Sequence, residues 1–291
     1  MPGFANCHTH FCLTLARGIF EDLSHANVPP FPGPARLPLP ELSAEEHVAL
    51  AQLGALEALR SGTTAAMEVA SNIDVYAQAL VDTGLRLVLA EQASDRARGG
   101  YGEPGLFEVI PSRAEEDLQR IASLHAKWNG AAHGRITVAV AAHAPDMVSP
   151  RLLRELRGLQ ERLDTVSTIH LNQLWGEVES VKANHGVLPT EYLAQNGYLN
   201  DRLVAAHCRC MEPREESLLG RSGAHVCFNS AMAARRGLSP RVADLEAAGC
   251  KIAMGSDNMA EDMVEVMRTG MFMERVRISD GRNPTPEDAL Q

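Results

Sequence analysis

His8, His10, His170, His207 and Asp257 are the residues whose types and settings could do chemistry. Each stands at or near the end of a short apolar or β-branched run. Thr165-Val166-Ser167-Thr168-Ile169 ends on His170, Leu203 to Ala206 ends on His207, and Ile252 to Ser256 leads into Asp257. Runs of this kind read as buried strands, and a histidine at the end of a buried strand is costly to leave without a partner. Several such residues on successive strands suggest one shared partner, and a metal ion would satisfy them all at once. His8 and His10 are two apart, so on a strand they point to the same side. Taken singly, each feature has an ordinary reading. An HxH pair is common in cores, a Gly-Ser-Asp turn such as Gly255-Ser256-Asp257 is usually a loop cap, and one buried histidine is usually a hydrogen-bonded core residue. Their joint fall on strand ends is what points to a site.

The elements that must carry these residues alternate. Phe4 to His10 reads as a first strand, and Phe11 to Asp22 as irregular. Val28-Pro29-Pro30-Phe31-Pro32-Gly33-Pro34 cannot be regular structure, because proline removes donors and fixes φ. Ser43 with Glu46 three residues on spells a capping box, starting a helix that runs to about Arg60, with Ser61-Gly62 ending it. Strands are then expected at Thr63–Val69, Leu85–Ala90, Ile136–Ala142, Thr165–His170, Leu203–His207, His225–Asn229 and Ile252–Ser256. Helices are expected at Asp74–Thr83, Ser112–Trp128, Pro150–Leu163, Val178–Asn184 and Pro189–Gln195, and from near Ala260 to about Arg275. Eight strands alternating with helices argue for parallel βαβ units. Val138-Ala139-Val140-Ala141-Ala142 is apolar throughout, as a strand buried on both faces should be. Eight units close into an α/β fold of the (β/α)8 TIM-barrel type, with its chemistry at the C-terminal strand ends. There lie His8, His10, Glu91, His143, His170, His207 and Asp257. An open doubly wound sheet is the other arrangement; its glycine fingerprint is not present.

Composition sets outer bounds. The 291 residues suffice for one large barrel or two ordinary domains, and 45% hydrophobic with 22% charged residues is ordinary for a globular protein. A net charge of -10 argues against nucleic acid or an anionic membrane surface as partner. No apolar run reaches the length of a membrane span, and Met1-Pro2-Gly3-Phe4 lacks a basic signal region. The six cysteines form no CxxC and read as reduced core thiols of a cytoplasmic protein. Aromatics are only 4%, so the core must be built of Ala, Val, Leu, Ile and Met.

Pro2-Gly3-Phe4-Ala5-Asn6-Cys7-His8-Thr9-His10, Leu15-Ala16-Arg17-Gly18 with Asp22, Ser61-Gly62-Thr63-Thr64 and Ala142-His143-Ala144-Pro145 are followed by His170, Val204-Ala205-Ala206-His207-Cys208, Phe228-Asn229-Ser230 and Gly255-Ser256-Asp257-Asn258. In these motifs and their order the chain resembles the amidohydrolase superfamily, in the branch of triazine hydrolases, guanine deaminase and methylthioadenosine deaminase. The motifs span nearly the whole chain and are specific to the branch, not to a substrate. The resemblance implies one divalent ion, zinc or iron, held by His8, His10, His170 and Asp257. It implies Asp257 as proton acceptor from water activated by that ion, His207 as a group that holds the nucleophile or polarises the reacting carbon, and His143 as a substrate contact. No lysine stands at the end of strand four, so one ion is expected, not two.

Two departures matter. Where the family's deaminases carry a proton-shuttling glutamate, three residues after the strand-five histidine, this chain has Gln173. An amide cannot protonate a leaving amine. Glu177 could reach in instead, or could simply favour a helix N-terminus. Trp175 could offer a stacking face. Met1 also stands almost on strand one and the chain stops at Gln291, so residues 1–291 are expected as a barrel without the family's accompanying β-sandwich, with the surface facing it exposed. The expected function is metal-dependent hydrolysis of a C–N or C–Cl bond in an N-heterocyclic or amidine-like small molecule, with deamination the leading form. A barrel that keeps the metal but only binds a small ligand is the alternative. A homo-oligomer fits the exposed surface. Substrate choice should lie in loops such as Ser24–Pro40 and Ser94–Pro111.

Overall fold

The computed structural model describes residues 2–17, 41–97, 108–258 and 260–290. Eight strands form one parallel sheet in sequence order: β1 (Phe4–Thr9), β2 (Thr63–Ala70), β3 (Arg86–Ala93), β4 (Ile136–Ala142), β5 (Ser167–Leu171), β6 (Leu203–His207), β7 (His225–Phe228) and β8 (Lys251–Met254). The helices are α1 (Ala44–Arg60), α2 (Ala77–Asp82), α3 (Pro111–Trp128), α4 (Ala131–Gly134), α5 (Pro150–Leu163), α6 (Trp175–His185), α7 (Pro189–Gln195), α8 (Pro213–Ser222), α9 (Ser230–Arg236), α10 (Val242–Ala247), α11 (Met263–Ile278) and α12 (Pro286–Leu290). The sheet curls into a nearly closed barrel of the (β/α)8 type. Among the described residues nothing forms a separate sandwich. The proline-rich stretch 28–34, Gly18, Asp22 and most of the loop 94–111 lie outside the described residues.

Sequence dictates several elements directly. Ser43 accepts the amide of Glu46 while Glu46 accepts the amide of Ser43, which fixes the start of α1. α5 begins with Ser149 as cap and Pro150 in the first turn, and its leucines at 152, 153, 156 and 159 pack on the sheet. The barrel interior is filled by small and slender side chains, Met67, Val69, Ala90, Ala139 and Ala141. This is how a chain so poor in aromatics fills its centre.

The structure moves some boundaries. β3 runs on to Ala93 because β4 pairs with it up to Ala142. The expected helix over 74–83 is split into a 3-10 turn, Ile73–Val75, and α2. α11 starts at Met263, where the Asp262 side chain caps the amides of Val264 and Glu265. β1 and β8 do not share a ladder. One bridge joins them, Thr9 to Asp257, at the end of the barrel where the site lies.

Candidate metal centre

The C-terminal strand ends open onto a cavity of about 1000 Å³, lined among others by His10, His143, His170, Gln173, His207 and Asp257. Hydrogen bonding fixes the tautomers. Nδ1 of His10 lies on the carbonyl of Val69, and Nδ1 of His170 lies 2.6 Å from the carbonyl of His143. A carbonyl only accepts, so each Nδ1 carries a hydrogen, and as metal ligands both rings would offer Nε2. The two Nε2 atoms stand 3.4 Å apart. Two lone pairs at that separation repel unless a cation lies beside them. His8 is fully buried, 4.8 Å from His10 and 4.9 Å from His170 between ring centres, and both of its ring nitrogens lack a hydrogen-bond partner. Burial, with His10 beside it, holds His8 well below the usual histidine range; burial and then His8 do the same to His170. Neutral imidazoles whose second nitrogen is tied to a carbonyl are what a metal ligand set requires.

Two overlapping triads could hold an ion: His8, His10 and His170, or His8, His207 and Asp257. The tautomer of His207 separates them. Cys227 Sγ donates to Asn229 Oδ1 at 3.4 Å, which turns the Asn229 amide nitrogen onto His207 Nδ1 at 3.1 Å. His207 therefore carries its hydrogen on Nε2, 3.7 Å from Asp257 Oδ2, and is a donor into the cavity. Burial, then the charge of Arg209, keeps it neutral. Asp257 Oδ1 lies 3.7 Å from His10 Nε2. His8, His10, His170 and Asp257 could therefore offer ligand atoms to a divalent ion, with His207 beside them as a hydrogen-bond donor.

Long-range contacts hold this geometry. The amide of Asp257 donates to the carbonyl of His8, and the amide of His10 to the carbonyl of Asp257. Below that bridge Glu261, fully buried, accepts from Thr9 Oγ1 at 2.9 Å, Ser256 Oγ at 2.6 Å and Asn6 Nδ2 at 3.1 Å. Burial pushes its carboxyl up to about 8 against the pull of Ser256, Thr9 and the nearby Arg17. This carboxylate brackets the strands that carry His8, His10 and Asp257, where the backbone ladder is lacking. We expect Glu261→Ala to remove three buried hydrogen bonds, leaving Thr9 and Ser256 only the carbonyl of Asp257 and Asn6 only Ser256, and to lower unfolding free energy by roughly 3 kcal/mol, about one per lost bond. Urea denaturation with and without metal measures this, and a change under about 1 kcal/mol would remove the bracket's importance. Strain gathers here too. Asn172, His207, Cys208 and Asp257 have φ of 49°, 78°, 52° and 61°, in the left-handed region that non-glycine residues rarely enter.

Comparison with known proteins gives this geometry a context. The amidohydrolase family matches residues 1–291. The chain belongs to the amidohydrolase family. It is 33% identical to a 5'-deoxyadenosine deaminase of Methanothermobacter thermautotrophicus, covering 96% of this chain and 64% of that one. It is 31% identical to a 5-methylthioadenosine/S-adenosylhomocysteine deaminase of Desulforamulus reducens, covering 95% and 61%. The chain therefore spans a little over three fifths of the length of these relatives. An adenosine deaminase from Xanthomonas campestris with bound zinc superposes with a TM-score of 0.77 at 24% identity, covering 96% of this chain and 62% of that one. The zinc complex of atrazine chlorohydrolase from Arthrobacter aurescens TC1 gives 0.80 at 17% identity, covering 100% and 67%.

Within this amidohydrolase barrel the expected site residues divide. His8, His10, His170, His207 and Asp257 meet at one point, and His143 and Gln173 line the same cavity. Trp175 and Glu177 are not among the described residues that line it. Trp175 packs against Val178, Leu188 and Cys210. Glu177, fully buried in the first turn of α6, accepts the amides of Asn172 at 2.7 Å and Gln173 at 2.9 Å. Its carboxylate is turned onto the loop after β5, so the helix-start reading describes it better than a reach into the cavity. Glu91 is also turned aside. It accepts the amides of Asn72 and Ile73 and pairs with Arg120 of α3. Its neighbour Gln92 lines the cavity instead, as the two-residue alternation of a strand requires. Sequence reading also missed Glu68, Arg209 and Glu261, and quoted Asn229 and Asn258 only within motifs, without a part in the site. Asn258 adjoins Asp257 and Arg209 lies two beyond His207, so the strand-end rule could have found both. Glu68 lies one residue from the inward Met67 and Val69, and accepts Phe11 N–H and Tyr76 O–H through contacts no local pattern reveals.

Proposed function

We propose that this barrel is a metal-dependent hydrolase that displaces a substituent, an amine first of all, from an electron-poor carbon of a small N-heterocycle. The observation that carries it is the set of inward imidazoles, with Nε2 of His10 and Nε2 of His170 3.4 Å apart and an orphaned His8 beside Asp257. The named activities of the deaminase relatives support catalysis over a barrel that only binds. When bound, a divalent ion, zinc or iron, would supply a Lewis acid that makes water a nucleophile near neutral pH. Asp257 is placed to take a proton, since its carboxylate lies at the junction of His10 and His207. The Nε2 hydrogen of His207 points into the same space and can hold the attacking oxygen or a ring atom. His143, just past the end of β4, lines the same cavity with its ring 5.5 Å from that of His170 and would contact the substrate. The six cysteines are free, in keeping with a cytoplasmic setting, and among the described residues no helix is long and apolar enough to cross a membrane. The test combines metal analysis with ammonia and chloride release from adenosine-type nucleosides, triazines, pterins and cytosine analogues. About one equivalent of metal, activity lost to a chelator and activity restored by zinc or ferrous iron are expected. Under about half an equivalent, with no activity restored by zinc, iron or manganese, would defeat the proposal.

A further inference from the structure

Asn229 stands outside both triads yet meets His207, a member of one of them. It lies just past β7, buried between His207 at the end of β6 and Gly255 just past β8. Its amide nitrogen is 3.1 Å from His207 Nδ1, and its oxygen accepts from Cys227 Sγ at 3.4 Å. The backbone holds it as well, since its carbonyl accepts the amide of Ala233 at the start of α9. Gly255 makes the room. A β-carbon there would lie 2.6 Å from Asn229 Oδ1 and 2.8 Å from Cys227 Sγ. No β-carbon packs that close, so glycine lets the two side chains meet beside His207.

The consequence lies on the far side of the ring. An amide nitrogen only donates, so Nδ1 of His207 is the acceptor and the hydrogen of the neutral ring sits on Nε2. An Nε2 that carries hydrogen cannot bind an ion. His10 and His170 face carbonyls through Nδ1 and are set the other way. The ligand atoms of His8, His207 and Asp257 lie within 4.8 Å of one another, close enough to draw an ion towards His207. His8 belongs to both triads, so the two positions compete for one ion. We infer that Asn229 is a positioning residue that withholds His207 from the ion and so keeps it a hydrogen-bond donor. This rests on the metal centre of the hydrolase reading and adds the device that divides its histidines between two tasks.

The test compares wild type with Asn229→Asp and Cys227→Ala. A carboxylate accepts from Nδ1–H and so turns the Nε2 lone pair of His207 inward. Alanine at 227 removes the donor that orients the amide, whose oxygen can then turn to His207 with no change of charge. Long-range proton–nitrogen NMR of histidine-labelled protein reads the tautomer, the His207 signals being those lost in His207→Gln. Wild type should carry hydrogen on Nε2 of His207, and Asn229→Asp on Nδ1. Competition against a chelator reads zinc affinity. Asn229→Asp should hold zinc at least about ten-fold more tightly than wild type. Cys227→Ala should hold it at least about three-fold more tightly. On any substrate that wild type turns over, kcat should fall at least about ten-fold in Asn229→Asp, because the donor is gone. A purely structural part would instead weaken zinc together with turnover. Hydrogen on Nδ1 in wild type overturns the inference, as does an undiminished kcat in Asn229→Asp. So does zinc held no more tightly by Cys227→Ala, because a gain in Asn229→Asp alone would come from its charge. Should Asn229→Asp fail to fold, the wild-type tautomer and Cys227→Ala decide. Wild type without zinc defeats the hydrolase reading; the inference then stands if either variant takes zinc up and falls if neither does.

Discussion

Asp257→Asn should lower kcat at least a thousand-fold, about 4 kcal/mol of barrier, while the protein stays folded. The side chain is nearly isosteric, and asparagine tolerates the left-handed φ of 61° better than most residues. The backbone bonds from Asp257 to His8 and from His10 to Asp257 do not involve the side chain and persist. What disappears is the negative charge at the junction of His10 and His207, 3.7 Å from each Nε2. That charge offers a ligand to the cation and a place for a proton, and an amide offers neither in useful form. Metal affinity should fall with the rate. Steady-state kinetics at saturating metal separates the two losses, because added zinc can restore occupancy but not the proton acceptor. A variant that keeps more than about a tenth of the wild-type kcat would show that Asp257 is not the proton acceptor.

Much of this arrangement could be read from the chain, and the reasons differ by element. Ile136–Ala142, Pro150–Leu163, Pro189–Gln195 and Leu203–His207 have the boundaries that their apolar runs and proline starts imply. β5, β7 and β8 end differently because parallel pairing, not composition, sets where a ladder stops. Period-two spacing brought out His8 and His10 together. The strand-end rule, applied to a strand taken to stop at Ala90, picked Glu91, whereas Gln92 faces the cavity. Trp175 and Glu177 follow a strand end, but they lie in the first turn of α6, beyond the cavity-lining Gln173 and Leu174, and are not among the described residues that line the cavity. Glu261 and Asn6 lie 255 residues apart, so the carboxylate that brackets β1 against β8 has no local signature. The residues that touch the cavity were thus accessible to pattern reading more often than those that hold it in shape.

Gln173→Glu should raise kcat/KM for substrates that lose an amine at least ten-fold, about 1.4 kcal/mol of barrier. Gln173 stands three residues beyond His170, lines the cavity and is 5% exposed. An amine leaves poorly unless protonated, and an amide side chain has no proton to give. The exchange keeps shape and volume, and the loop stays pinned by Glu177, so the new carboxyl should occupy the place of the present amide. Burial there, close to Asp257, should push its pKa up into a range where it can take and return a proton near neutrality. For substrates that expel chloride or another stable anion the same change should do little or reduce the rate, because no proton is needed and a second negative charge opposes the departing one. One substrate of each kind, assayed on wild type and variant with metal content measured alongside, decides it. Equal loss on both substrates at constant metal content would mean that Gln173 acts through ring binding alone. With the Glu177 carboxylate committed to two backbone amides, the proton would then pass through His207 and Asp257.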